Sequence, residues 1–389
     1  MKKKNICIVS ECQQIPGVGG IETVSFILRE ELLKNGYYVW SMYFIPKSTP
    51  TIYDIQFKQV HDICSNENKE QFIEIIEKHH IDFILLQGAP IDGLLELCIE
   101  TKKATGIKLI YTYHFNPLMC IGEFDDYKEK ALKDCNHIIT PLYSLYLASK
   151  RSIFIKKSLE KFKNYDISNI DAFVSVNCKH TTFFQTLYPK EFKDRFHTIA
   201  NPIALGYEDE STTEKENIIL FVSRLTYQKR LDRLIHIWNS LYKDHPTWKL
   251  VVVGDGDYTN EYKKIATDLD LKNIEFVGQQ PAEEYFKKSK IVCMTSSHEA
   301  FGMVLVEAQK YGCVPITYSN FETASEIIQD GYNGLLIEPF KQKKYEEALS
   351  RLLTDNNYLQ MLKGHGRSYI EKFNVKTIIK EWIKLLNSL

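Results

Sequence analysis

A chain of 389 residues is too long for one ordinary hydrophobic core, and two domains of about 150–200 residues are expected. With 25% charged and 44% hydrophobic residues and a formal net charge of −1, the composition is that of a soluble globular protein and excludes a nucleic-acid binder by bulk charge. No run of about 18 apolar residues is present to span a membrane, and the apolar stretch in "MKKKNICIVS" is too short for a signal peptide. Nine cysteines lie without C-x-x-C spacing. Cys7, Cys293 and Cys313 sit in or beside apolar runs and read as reduced core thiols of a cytoplasmic protein.

In chain order, the strand "NICIVS" (5–10) enters the glycine loop "PGVGG" (16–20), and a helix follows that ends near Gly36. Strands are expected at 38–45, 81–87, 107–113, 171–176 and 196–200. Helices are expected near 68–79, 90–104, 124–148 and 178–187. A polar, acidic stretch at 201–217 suits a linker. The pattern then restarts with strands at 218–223, 249–254, 274–278, 291–296, 314–318 and 334–338. The alternating helices close with runs near 341–354, 357–371 and 375–389. Alternation of this kind implies parallel sheets covered on both faces. Two such sheets in tandem place ligands at the carboxyl ends of their strands, in a cleft.

Chemistry concentrates at those strand ends. Arg224 and Lys229 follow the strand 218–223, and two cations so placed suit a diphosphate. "GDGD" (254–257) offers glycines for close backbone approach. Its D-x-D pair reads as structural rather than metal-binding, since no other carboxylate cluster lies nearby in sequence. In "SSHEAFGMVLVEAQ" (296–309), Gly302 opens a helix whose first N–H groups, at Met303 and Val304, can face an anion. Glu299 and Glu307 then stand eight residues apart around a largely apolar helix start. A carboxylate there is costly unless something satisfies it, and sugar hydroxyls are suitable partners. The segment 149–166, with Ile155, Leu159 and Phe162 on one helical face among many lysines, could sit on anionic lipid.

"SRLTYQKRLDRLI", "VVVGDGD", "IEFVGQ" and "SSHEAFGMVLVEAQKYGCVPI" resemble, in order and spacing, the C-terminal domain of the family-four retaining glycosyltransferases of bacterial polysaccharide biosynthesis. The likeness extends more loosely to 1–200 through "PGVGGIE", "HFNP" and "ANPI". It implies an α/β GT-B fold: two tandem Rossmann-like, doubly wound domains facing across a cleft. Residues 1–203 would bind the acceptor and 204–374 the nucleotide-sugar, with the helix 375–389 packing back on the first.

By the same resemblance, Arg224 and Lys229 match the cations on the leaving diphosphate, and Glu299 the carboxylate on the donor sugar. Glu307 matches the ribose carboxylate. Gly302, Met303 and Val304 match the backbone cradle, Gly254 completes the donor-binding set, and Val277, Gly278 and Gln279 would hold the base. In the first domain, Gly19 and Gly20 match the glycine loop and His114 the active-site histidine. Arg230 departs from the family's usual glycine. The implied reaction is a metal-independent, cofactor-free, retaining hexosyl transfer from a nucleotide-sugar, a UDP-sugar for preference. The acceptor would be a glycan or lipid-linked glycan, and the protein would work in the cytoplasm or at the inner face of its membrane. An epimerase, a phosphorylase or a non-catalytic nucleotide-sugar-binding module on the same fold are the alternatives.

Overall fold

The computed structural model describes residues 4–17, 19–88, 93–133, 140–205 and 214–389. Parts of the expected glycine loop, the helix 90–104, the helix 124–148 and the linker 201–217 therefore lie outside the described residues. The chain divides into two compact units. One comprises Met1–Phe115, Lys161–Ala204 and Phe373–Leu389, the other Asn116–Glu160 and Leu205–Lys372.

The chain opens with β1 (Asn5–Cys12), α1 (Gly20–Lys34), β2 (Tyr38–Ile45), β3 (Asp54–Gln56) and α2 (Asn66–Lys78). Next come β4 (Phe83–Gly88), α3 (Leu94–Thr105), β5 (Lys108–Tyr113), α4 (Met119–Lys133) and α5 (Thr140–Glu160). Then follow β6 (Ala172–Ser175), α6 (Cys178–Leu187) and β7 (Phe196–Thr198). The seven strands form one parallel sheet in the order β3-β2-β1-β4-β5-β6-β7. Because helices cover both faces, the central strands are buried throughout, and "FILLQG" of β4 is apolar almost without interruption.

The second sheet starts with β8 (Glu216–Val222), followed by α7 (Leu231–Leu241), β9 (Lys249–Val253), α8 (Thr259–Asp268) and β10 (Ile274–Gly278). It continues through α9 (Ala282–Lys288), β11 (Ser289–Met294), α10 (Met303–Lys310), β12 (Val314–Tyr318), α11 (Ala324–Ile327) and β13 (Leu335–Ile337). The helices α12 (Gln342–Thr354), α13 (Asn356–Tyr369) and α14 (Val375–Ser388) end the chain. Six parallel strands are ordered β10-β9-β8-β11-β12-β13. α14 belongs to the first unit, where Ile378, Trp382 and Leu385 join the core of Ile6, Ile8, Leu28 and Leu32.

Both sheets reverse their winding at one place, between β1 and β4 in the first and between β8 and β11 in the second. Neighbouring loops at such a switch point diverge to opposite faces and leave a crevice at the strands' carboxyl ends. The loops after β8 and β11 carry Arg224, Lys229 and Glu299.

Three local expectations change. A single helix over 124–148 is not found: α4 and α5 pack on each other, with the Phe124 and Phe154 rings 5.3 Å apart, and the residues that join them lie outside the described residues. α5 ends at Glu160, so 149–166 is not one helix. Ile155 and Leu159 are half-buried, and Phe162, in the turn beyond, packs edge-on to Tyr113 and Phe184 in the first unit's core. The expected first domain, 1–203, also differs in Asn116–Glu160, which groups with the second unit through its carboxylates on Arg230 and Ser297.

Glycine is obligatory at Gly254. Its φ is +128°, and a Cβ there would lie 1.8 Å from the Ser223 carbonyl oxygen. Gly20 has open space around the same atom. Gly254→Ala is therefore expected to destabilise the protein by at least the ~1–3 kcal/mol of a strained backbone. Gly20→Ala should unfold within about 1 kcal/mol of wild type. Urea unfolding of the two variants checks both.

Candidate active site

The second unit gathers most of the expected site. After β8 the chain makes a tight turn, Tyr227–Lys229, before α7. This turn is laced to the loop after β11: Ser297 N–H donates to the Gln228 carbonyl (2.9 Å), and the Gln228 amide donates to the His298 carbonyl (2.7 Å). The Thr295 hydroxyl donates to the Arg230 carbonyl at 2.9 Å. These bonds tie the two loops together, and Lys229 Nζ lies 2.6 Å from Glu299 Oε1. Arg224, one turn earlier, is exposed and makes no side-chain ion pair among the described residues.

Gly254 and Gly256 let the loop after β9 lie directly on this turn. A Cβ on Gly256 would meet the Leu225 carbonyl oxygen at 2.6 Å. Leu225 N–H donates to the Asp255 carbonyl (2.9 Å), and Gly254 N–H to that of Gly278 (2.8 Å). The end of β10, with half-buried Val277 and Gly278 and exposed Gln279, is thereby tied to the same cluster. Asp255 is exposed and turns back on its own loop: its Oδ1 accepts from the Thr259 hydroxyl and from Gly256 N–H (2.8 Å), which holds the start of α8 and lowers its pKa. The D-x-D pair is in this respect a turn.

Gly302 precedes α10 in the left-handed region, φ +88°, and a Cβ there would press on the Phe321 ring at 3.2 Å. The N–H groups of Met303 and Val304 have no carbonyl one turn behind them and form the positive end of the helix dipole. Met303, Val304 and Glu307 share the less buried face of α10, while Leu305, Val306 and Ala308 enter the core. The Glu307 carboxylate has no hydrogen bond or ion pair among the described residues. Burial pushes its pKa above the usual carboxylate range, with Lys310 opposing.

In the first unit, Gly19 caps α1 and Gly20 begins it, at the switch-point end of β1. His114 follows β5, buried, with Nε2 against the Gln87 side-chain oxygen. Burial lowers its pKa to about 4, so the ring is neutral near pH 7.

One group escaped the sequence. Arg230, at φ +51°, occupies the left-handed conformation that a glycine adopts without strain. It is held there by carboxylates. Its guanidinium donates twice to Glu129 (2.7 and 2.5 Å), twice to Asp232 (3.0 Å each) and once to Asp126 (3.3 Å), and it stacks on the Tyr227 ring at 4.9 Å. Ser297 donates its hydroxyl to the other oxygen of Asp126. α4 is therefore pinned to both loops that bear the charged pair. The only signal in the sequence was an arginine where glycine is usual, since two of its three partners, Asp126 and Glu129, lie some hundred residues away.

An unpaired carboxylate under an apolar helix face costs stability in the absence of a ligand. Because its folded pKa is raised, Glu307 is protonated in both states below the unfolded value, and the cost accrues as pH rises from the unfolded value and is complete above the folded one. Glu307→Gln should therefore stabilise the ligand-free protein more at pH 8 than at pH 4, as read by urea unfolding at each pH.

Residues 207–369 match the family model described as glycosyl transferases group 1. A glycosyltransferase of Haemophilus influenzae is 24% identical over 99% of this chain and 100% of its own length. An α-1,4-N-acetyl-D-galactosaminyltransferase of Campylobacter jejuni, named for a diphosphate-undecaprenol-linked glycan, is 27% identical over 51% of this chain and 56% of its own. Among solved structures, HepE of Anabaena in complex with UDP and glucose superposes with a TM-score of 0.73, covering 99% of this chain and 100% of that one at 16% identity. This likeness is one of fold, the GT-B pair of parallel-sheet, Rossmann-like domains. The matched segment spans the whole second-unit site, so it is this part of the chain that is similar to the group 1 glycosyl transferases.

Proposed function

We propose that the protein transfers a sugar from a nucleotide-sugar, a UDP-sugar for preference, to a glycan or lipid-linked glycan in cell-surface polysaccharide synthesis, with retention and without a metal. The observation that carries this reading is the charge arrangement on the second unit. The Lys229–Glu299 pair stands beside exposed Arg224, and α10 offers an unpaired carboxylate one turn inside its free N–H groups.

A nucleotide-sugar would complete each of these. The departing diphosphate needs positive potential, which Arg224, Lys229 and the start of α10 supply. Drawing Lys229 to phosphate releases Glu299 to accept from sugar hydroxyls, so the ion pair is a resting arrangement that the donor exchanges for its own. Glu307 can accept from both hydroxyls of a ribose diol. On one face of the sugar, the C1–O bond to phosphate breaks as the bond to the acceptor oxygen forms, and the acceptor proton passes to the phosphate oxygen. The names of HepE's ligands and of the Campylobacter relative's acceptor support a uridine donor and a lipid-linked acceptor.

In a thermal-shift assay with EDTA, UDP-glucose should raise the melting temperature more than GDP- or ADP-glucose. Glu299→Ala should lower turnover by at least about a hundredfold while retaining UDP binding. Near-normal transfer by that variant would remove Glu299 from the mechanism. Donor consumption without any acceptor, yielding an epimer, would favour the epimerase.

The reading extends to contact with a membrane surface from the cytoplasmic side. Among the described residues no helix is long and apolar enough to cross a bilayer. Its support is on α5, where Leu142, Leu145, Tyr146 and Ile153 form an exposed apolar row, with Leu142 at 71% and Leu145 at 70%. Exposed Lys150, Lys156 and Lys157 on the same helix would meet anionic headgroups. Flotation should recover more protein with phosphatidylglycerol vesicles than with phosphatidylcholine, and a Leu142→Ser, Leu145→Ser double variant should lose that excess.

A further inference from the structure

Between α4 and the Tyr227–Lys229 turn lies a cleft of about 330 Å³, wholly within the second unit. We propose that this cleft is a subsite for one sugar ring of the acceptor, a claim that rests on the transferase reading above. Its volume lies at the lower end of small-ligand sites and suits a single pyranose better than a nucleotide.

The chemistry of its walls selects the ligand. Three aromatic rings come from three elements: Tyr127 from α4, Tyr227 from the turn, and Tyr258 from the loop before α8. Tyr227 and Tyr258 have centroids 5.5 Å apart. Tyr127 is 57% exposed on the outer wall, with one side of its ring toward Phe124 at 6.3 Å between centroids. Aryl faces of this kind take the C–H face of a sugar.

Among the described residues no cation lines the cleft, whereas the carboxylates of Glu123 and Asp126 do, so a phosphate or diphosphate is disfavoured and a neutral polyol is not. Asp126 is spent on Arg230 and Ser297. Glu123 is exposed and makes no hydrogen bond or ion pair among the described residues, which leaves both its oxygens for hydroxyl donors.

His298 supplies a second acceptor. The Ser297 hydroxyl gives its proton to Asp126, so the contact of Ser297 with His298 Nδ1 (3.2 Å) must be an Nδ1–H donation. That tautomer leaves Nε2 as a lone pair. Burial lowers the ring's pKa and keeps it neutral.

The position is also informative. Gln228 and His298, both in the wall, directly precede Lys229 and Glu299 in the chain, so a sugar held here lies beside the charged pair. The outer wall is fixed, because α4 is anchored by Arg230 through Glu129 and by Ser297 through Asp126. The cleft is preformed in this sense.

The test is saturation-transfer NMR on the full chain with saturating UDP and the methyl α-glycosides of glucose, galactose, N-acetylglucosamine and N-acetylgalactosamine. At least one glycoside should bind. Tyr127→Ala should weaken that binding about three- to tenfold, as loss of one aromatic face implies. Glu123→Gln should weaken it too, and both variants should keep the wild-type UDP thermal shift and unfolding curve. The proposal is overturned if no glycoside binds the wild type, or if both variants bind as wild type does. It is also overturned if Glu307→Gln, and not Tyr127→Ala, abolishes the signal, since the sugar would then occupy the donor position. A wild type that shows no thermal shift with any nucleotide-sugar would instead defeat the transferase reading, whatever the glycosides do.

Discussion

The arrangement of the second unit depends on one ion pair at the sheet's switch point, Lys229 Nζ on Glu299 Oε1 at 2.6 Å. β8 and β11 are adjacent in the sheet, but their helices leave toward opposite faces, so only the two loops meet there. A cation on one loop and a carboxylate on the other satisfy each other while nothing else is bound. Both side chains remain partly accessible, at 22% and 11%, so the pair is neither sealed in the core nor screened as a surface bridge would be. A group that must be stable alone and yet exchange partners is well placed at this depth.

Around that pair the backbone does the positioning and the side chains carry the charge. The loops after β8, β9 and β10 are joined by main-chain hydrogen bonds through Leu225, Asp255, Gly254 and Gly278. α10 then presents its N-terminal N–H groups and Glu307 on one face. In the first unit, neutral His114 and the glycines before α1 stand at the corresponding strand ends. α4, grouped with the second unit, is fastened by buried Arg230, whose strained backbone is offset by five charge-assisted hydrogen bonds.

Most of the strands could be read from the chain because strands of parallel sheets, buried on both faces, are nearly continuous apolar runs, as in "KLVVV" and "FILLQG". β3 was not legible, since three half-exposed residues at an edge carry no periodicity. Charged residues at strand ends marked Arg224, Lys229, Glu299 and Glu307 as candidates. That Lys229 and Glu299 face each other, whereas Glu307 has no partner among the described residues, is a matter of loop geometry that spacing does not encode. Arg230 was conspicuous only as a departure, and its meaning lay in Asp126 and Glu129, far away along the chain. The exposed apolar row on α5 was expected from Ile155, Leu159 and Phe162, yet these turn inward and Leu142, Leu145 and Ile153 face out.

The backbone stacking beneath Arg224 has a consequence for how the evolutionary record of such chains should be interpreted. In "GDGD", the two glycines abut carbonyl oxygens and tolerate no side chain, while Asp255 and Asp257 are exposed. Across descendants of this sequence, drift should be forbidden at 254 and 256 and permitted at 257, an alternation that imitates a metal motif. The invariant positions would be those with no functional group, and their invariance would record a steric collision rather than any chemistry.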